Sequence, residues 1–160
     1  MRRRALLAVA ATVPLAGCPT PPWSEIPEAV DGAEVTLRRE HAGGFDPEVG
    51  SPRDAAELHR ALQADPPRLV VRGRLLDGAR ECYRVTLLEA DLTPARLLLR
   101  LTTEDDPDWE GEACPDVGEA HPYEVDVAFV DAPVPDRIIV RHGDETVFDR
   151  TVLDGTATNG

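Results

Sequence analysis

From Tyr123 to Val130 the chain alternates residue by residue, with Tyr123, Val125, Val127 and Phe129 on one parity and Glu124 and Asp126 on the other. A period of two places successive side chains on opposite faces of an extended backbone. The run therefore predicts a strand with one face in a core and the other in water. The same signal, less clean, recurs over Glu34–Arg39, Leu69–Leu76, Glu81–Ala90, Ala95–Thr103, Arg137–Arg141 and Glu145–Val152. Within Glu81–Ala90, Cys82, Arg84 and Thr86 fall on one face and Tyr83, Val85 and Leu87 on the other. Gly43-Gly44, Asp77-Gly78, Thr93-Pro94 and His142-Gly143-Asp144 supply turns between these runs. Short strands at this spacing predict a mostly-β fold, a small antiparallel β-sandwich (immunoglobulin-like or similar) forming one domain over 34–154.

One segment has a different period. Ser51 as cap, Pro52 at the first position and Asp54 in the first turn read as a helix start. Ala55, Leu58 and Leu62 then fall on one helical stripe, and Asp65-Pro66-Pro67 ends it. This predicts one short α-helix near 52–64. The last residues, 155–160, read as a flexible tail.

Ahead of the domain, residues 1–17 have the layout of a signal peptide: Arg2, Arg3 and Arg4, an apolar run from Ala5 to Ala16, then small residues. The run falls short of the roughly 20 residues that span a bilayer as a helix, and Pro14 would break such a helix. Leu15-Ala16-Gly17-Cys18 resembles the lipobox of lipoproteins at all four positions. That resemblance implies cleavage before Cys18, a lipid on its thiol, and export to the outer face of the cytoplasmic membrane. Two acyl chains suffice to hold a soluble domain there. Arg3-Arg4-Ala5-Leu6-Leu7 also resembles a twin-arginine signal core, so the export route stays open between that and the general one. Residues 18–33, with four prolines among the first ten, read as an extended tether. Trp23 within it suits either the lipid interface or the domain surface.

The chain's 17 cations are all arginine and face 30 acids. Without the leader's three arginines, 14 face 30, a net charge of −16. Such a surface excludes charge-driven binding to nucleic acid or to an anionic membrane. Strong acidity, absent lysine and abundant Ala, Asp, Val and Pro resemble proteins of haloarchaea. Their high salt shortens the screening length to a few ångströms, so self-repulsion largely vanishes.

Once Cys18 is assigned, Cys82 and Cys114 remain, and an even pair in an exported protein predicts a disulfide. The competing reading is two free thiols. Between them, Asp106, Asp108 and Glu110 alternate ahead of Gly111 and Glu112, resembling the first half of a calcium loop. Pro107 interrupts that loop, and Val117 stands where its closing acid belongs. An ordinary solvated acidic loop is the competing reading.

His41, His59, His121 and His142 show no ligand spacing and read as incidental. Ser24 and Ser51 are the only serines, one in the tether and one a helix cap. Gly43-Gly44 has no phosphate-loop fingerprint behind it, and no cofactor is expected. Arg68, Arg72, Arg74, Arg80 and Arg84 form a basic stretch across two strands read as neighbours. It is placed to meet the acidic loop or a carboxylate ligand.

Gly73, Glu81-Cys82-Tyr83, Cys114, Pro122-Tyr123-Glu124-Val125 and Pro135-Asp136-Arg137 before Ile138-Ile139-Val140 together resemble haloarchaeal surface lipoproteins, a group with no assigned activity. The resemblance covers the second half of the chain and implies a small β-domain. The expected function is a non-enzymatic binding or structural interaction module of the cell envelope, joined to the membrane through Cys18, with no nucleic-acid partner. The alternative is an extracellular calcium-binding or enzyme-associated domain, protease-inhibitor-like modules included, working through the acidic loop 104–112.

Overall fold

The computed structural model describes residues 28–40 and 54–153. Residues 1–17, Cys18, His41, Ser51 and the tail 155–160 lie outside them. Among the described residues the chain forms strands β1 (Glu28–Val30), β2 (Ala33–Arg39), β3 (Ala55–Ala61), β4 (Arg68–Asp77), β5 (Tyr83–Leu92), β6 (Arg96–Asp105), β7 (Glu119–Phe129), β8 (Arg137–His142) and β9 (Glu145–Thr151), and no helix. The protein is mostly β, in two sheets: β1-β2-β7-β4-β3 and β5-β6-β8-β9.

The period-two reading of residues 123–130 holds. Tyr123, Val125, Val127 and Phe129 are buried at the centre of the five-stranded sheet. Facing them from the other sheet are Val85, Leu97, Leu99, Leu101, Ile138 and Val140, in the same apolar cluster. On the outer face of β7, Glu124 is also buried, because Arg38 of β2 and Arg72 of β4 close over it at 3.1 and 2.8 Å. All three sit in one cross-strand row. Asp126 pairs with Arg68 at 2.7 Å. Opposite charges aligned across strands keep this face ordered while it stays wet.

In β5 the apolar residues change parity, from Val85 and Leu87 to Ala90 and Leu92, and a bulge between Leu87 and Glu89 absorbs the step. The extra residue, Leu88, is turned to solvent, and Ala90 and Leu92 still reach the core. This follows from the rule that a one-residue slip would otherwise invert every later side chain.

Three expectations are corrected. The helix near 52–64 is strand β3, whose residues pair antiparallel with β4 from Ala55↔Arg74 to Ala61↔Arg68. Its core contacts, Ala56 and Leu58, are two apart. An edge strand needs few buried positions, so the weak apolar spacing fitted a helix equally well. Asp54, read as a first-turn acid, instead accepts a hydrogen bond from His142. Next, the tether assigned to 18–33 ends sooner, since Glu28–Val30 pairs with Ala33–Val35 through the turn at Asp31-Gly32. Finally, the antiparallel expectation fails at β6 and β8, which run parallel. Their connection crosses to the other sheet and back through β7, and parallel neighbours require a crossover of that kind.

Candidate functional site

The turn Gly78–Cys82 carries the chain from one sheet to the other and is tied down from several sides. Gly78 N–H bonds its neighbour Asp77 at 2.8 Å, and the Gly78 carbonyl lies 2.8 Å from His121 Nε2, a buried ring on β7. Cys82 and Tyr83 N–H both reach the Ala79 carbonyl at 3.1 Å, and the Cys82 carbonyl accepts from Asp106 N–H at 2.7 Å. Arg80 N–H donates to Glu119 Oε2 at 2.7 Å. The sulfur atoms of Cys82 and Cys114 lie 2.09 Å apart, at bonding distance, with Cα atoms 5.9 Å apart. The expected pairing thus fastens this turn to the 106–118 connection.

Between those two walls and the end of β2 lies a groove of about 650 Å³. Its floor includes Arg39 and Arg84. Arg84 meets Glu104 Oε1 at 2.8 Å, and Arg39 NH2 lies 3.8 Å from the same oxygen while its Nε donates to the Val85 carbonyl at 2.6 Å. Burial, and then the nearby Arg84 charge, push the Arg39 guanidinium below its usual pKa. Arg80 pairs with Glu40. A second hollow of about 500 Å³ shares Tyr83, Pro115 and Val117 with the first. Tyr83 therefore stands between the two. Its ring lies against Gly78, where an added Cβ would sit 2.5 Å from the ring carbon Cε2. Only a glycine leaves that space.

The five arginines read as one stretch are divided by the fold. Arg68, Arg72 and Arg74 lie on β4 in one sheet and Arg84 on β5 in the other, with Arg80 in the turn. Arg68, Arg72 and Arg80 pair with Asp126, Glu124 and Glu40, while Arg84 pairs with Glu104, the first residue of the acidic loop, and Arg74 Nε is buried without a hydrogen-bond partner among the described residues. Of the loop acids, Asp106 and Asp108 line the groove, while Glu110 and Glu112 do not. Asp106 accepts the Asp108 N–H at 2.9 Å, which is turn chemistry. Among the described residues no three His, Cys, Asp or Glu side chains gather as a metal-holding group.

Two histidines read as incidental are buried. His142 closes β8 and bridges both sheets. Its Nε2 lies 2.6 Å from the Tyr123 hydroxyl, and its Nδ1 meets the Asp54 carboxylate. The carboxylate selects the Nδ1–H tautomer, so Nε2 accepts from Tyr123 O–H. Burial raises the Tyr123 pKa above its ordinary value. Parity would have found both histidines. His121 shares the inward face of β7 with Tyr123, and His142 that of β8 with Ile138 and Val140. Arg39 and Tyr83 as groove residues had no such signal, because the groove forms only where three distant segments meet.

Burial lowers the His142 pKa from the ordinary 6.5 to about 4. A histidine held neutral when folded binds fewer protons than the unfolded chain between those values. Stability is then complete above pH 6.5 and falls as pH drops toward 4, by at most about 3 kcal/mol. Chemical unfolding across that range measures the slope. His142→Gln is expected to flatten it, and Asp54→Asn, which removes a neighbouring negative charge of the kind that favours a charged ring, to steepen it. An unchanged slope in His142→Gln would assign the pH response elsewhere.

No family model matches the chain, and no curated protein or solved structure matches it either.

Proposed function

We propose that this protein is an exported lipoprotein of a halophile, held to the outer face of the cytoplasmic membrane by lipid on Cys18. Its small β-sandwich serves as a non-enzymatic binding module of the envelope. The leader and lipobox residues support the export and anchoring. The net charge of −16 after cleavage supports a salty exterior, where such a surface stays soluble and unstrained. One observation carries the binding role: the groove beside Tyr83, whose wall at Gly78–Cys82 is fixed by a sulfur pair, a buried histidine and a ring of backbone bonds. Walls fixed in advance lower the ordering cost of binding. His142 and Tyr123, a buried titratable pair, serve the joint between the sheets and stand apart from the groove lining.

Cys18→Ser tests the anchor. Membrane fractionation of the variant is expected to show loss of lipid attachment, an unprocessed leader and altered partition. A variant that remains as membrane-bound and as fully processed as the parent would overturn the lipoprotein reading.

A further inference from the structure

The groove's lining narrows what it can bind. Of its twelve residues, three are guanidinium-bearing and five carry carboxylates. Small-molecule pockets of roughly 300–1,000 Å³ are mostly apolar. This one has the volume but not the apolar walls, so an apolar ligand would leave its charged groups desolvated without partners, at a cost. An anion would face five carboxylates, and a cation would face Arg39, Arg80 and Arg84. Arg80 is paired with Glu40 and Arg84 with Glu104 at the groove's edge, while Glu119 and Asp106 accept the backbone N–H groups of Arg80 and Asp108, so these groups hold fixed positions as hydrogen-bond donors and acceptors.

Tyr83 adds the second half of the argument. It is half-buried and borders both hollows, so one face of a ring-shaped ligand could rest on it while the rest extends to either side. It cannot easily turn away. Gly78 lies under its ring, its N–H is bonded to Ala79, and Cys82 beside it is paired with Cys114. A sugar ring presents polarised C–H groups on one face, suited to the electron-rich face of an aromatic ring. Around its edge it presents hydroxyls, which both donate to carboxylates and accept from guanidiniums.

We propose that this groove binds a neutral oligosaccharide, with one sugar ring stacked on Tyr83 and its hydroxyls held by the paired arginines and carboxylates of the two walls. The proposal rests on reading the groove as the recognition surface and names its ligand class. Two connected hollows, of about 650 and 500 Å³, give room for more than one sugar unit.

The test is calorimetric titration of the purified full chain with neutral hexasaccharides (α- and β-linked glucans and a mannan) and with an oligouronate of equal length. Binding of at least one neutral hexasaccharide is expected, with an affinity that changes little between moderate and concentrated KCl, since no ligand charge is screened. Tyr83→Ala is expected to weaken it by about tenfold or more, and Tyr83→Phe, which keeps the ring, by less than about threefold. Unfolding curves for both variants separate loss of the platform from loss of the fold. If Tyr83→Ala unfolds, Val117→Asp, an exposed change on the shared wall, takes its place with the same expected loss. No binding across the neutral panel, binding of the oligouronate alone, or binding indifferent to these substitutions would overturn the proposal. None of these results touches the Cys18→Ser experiment, so failure of the ligand and failure of the lipoprotein reading are separable.

Discussion

Replacing Tyr123 by alanine is expected to cost about 3–5 kcal/mol of stability, read as a shift in the denaturant midpoint at constant slope. The ring is fully buried where the two sheets meet, and its hydroxyl is the partner of His142. Gly73 stands directly across from it on β4. An added Cβ there would lie 2.4 Å from the Tyr123 oxygen and 2.7 Å from the Ala55 carbonyl, on the far side strand. Gly73→Ala must therefore push the ring or separate β3 from β4, and overpacking of this kind costs about 1–3 kcal/mol, occasionally more. The two changes share one space, so they are expected to be non-additive. In a Tyr123→Val background the Gly73→Ala penalty should shrink, the remainder being the contact with Ala55. Full additivity in this double-mutant cycle would show that ring and glycine do not compete. Tyr123→Phe isolates the hydroxyl. It leaves His142 Nε2 buried without its donor, a loss of about 1–3 kcal/mol.

Removing the Cys82–Cys114 pair, by Cys82→Ala with Cys114→Ala or by reduction, is expected to cost about 3–4 kcal/mol. The positions are 32 apart in sequence, and the estimate is the chain entropy that a cross-link of this span withdraws from the unfolded state. Mass spectrometry before and after reduction should show a two-proton difference, and its absence would leave two free thiols. The functional effect should be larger than at a distant cross-link. The pair joins the two walls of the groove, so the reduced protein should become more open to proteolysis over 78–83 and 106–118 than over β7. Equal protection before and after reduction would mean that the backbone bonds at Ala79, Cys82 and Asp106 hold the turn unaided.

Several elements were legible because a single chemical pattern determined them. The alternation of β7 specified both its strand and its inward face, and the breaks at Asp77-Gly78 and His142-Gly143-Asp144 fell where strands end. The pairing of Cys82 with Cys114 followed from there being two candidates once Cys18 was set aside. β3 was not legible. It lies at the edge of its sheet, needs only Ala56 and Leu58 in the core, and takes its extended form from the ladder with β4, so local spacing had little to report. Nor was the separation of Arg74 from Arg84, ten positions apart, into different sheets. The turn at 78–82 makes that transfer, and its cause is the packing of two faces rather than any local propensity.

The sequence by itself determined a mostly-β chain, the inward face of β7, the cysteine pair, and the acidic surface. Each follows from residue type and near-neighbour order. Only the tertiary structure decided the parallel contact of β6 with β8, the burial of Glu124 beneath two arginines, the His142 bridge between sheets, and the groove around Tyr83. These depend on which distant segments share one core. That choice is made by the whole apolar surface at once, because burying two sheet faces against each other is what fixes where their ends, turns and charged edges meet.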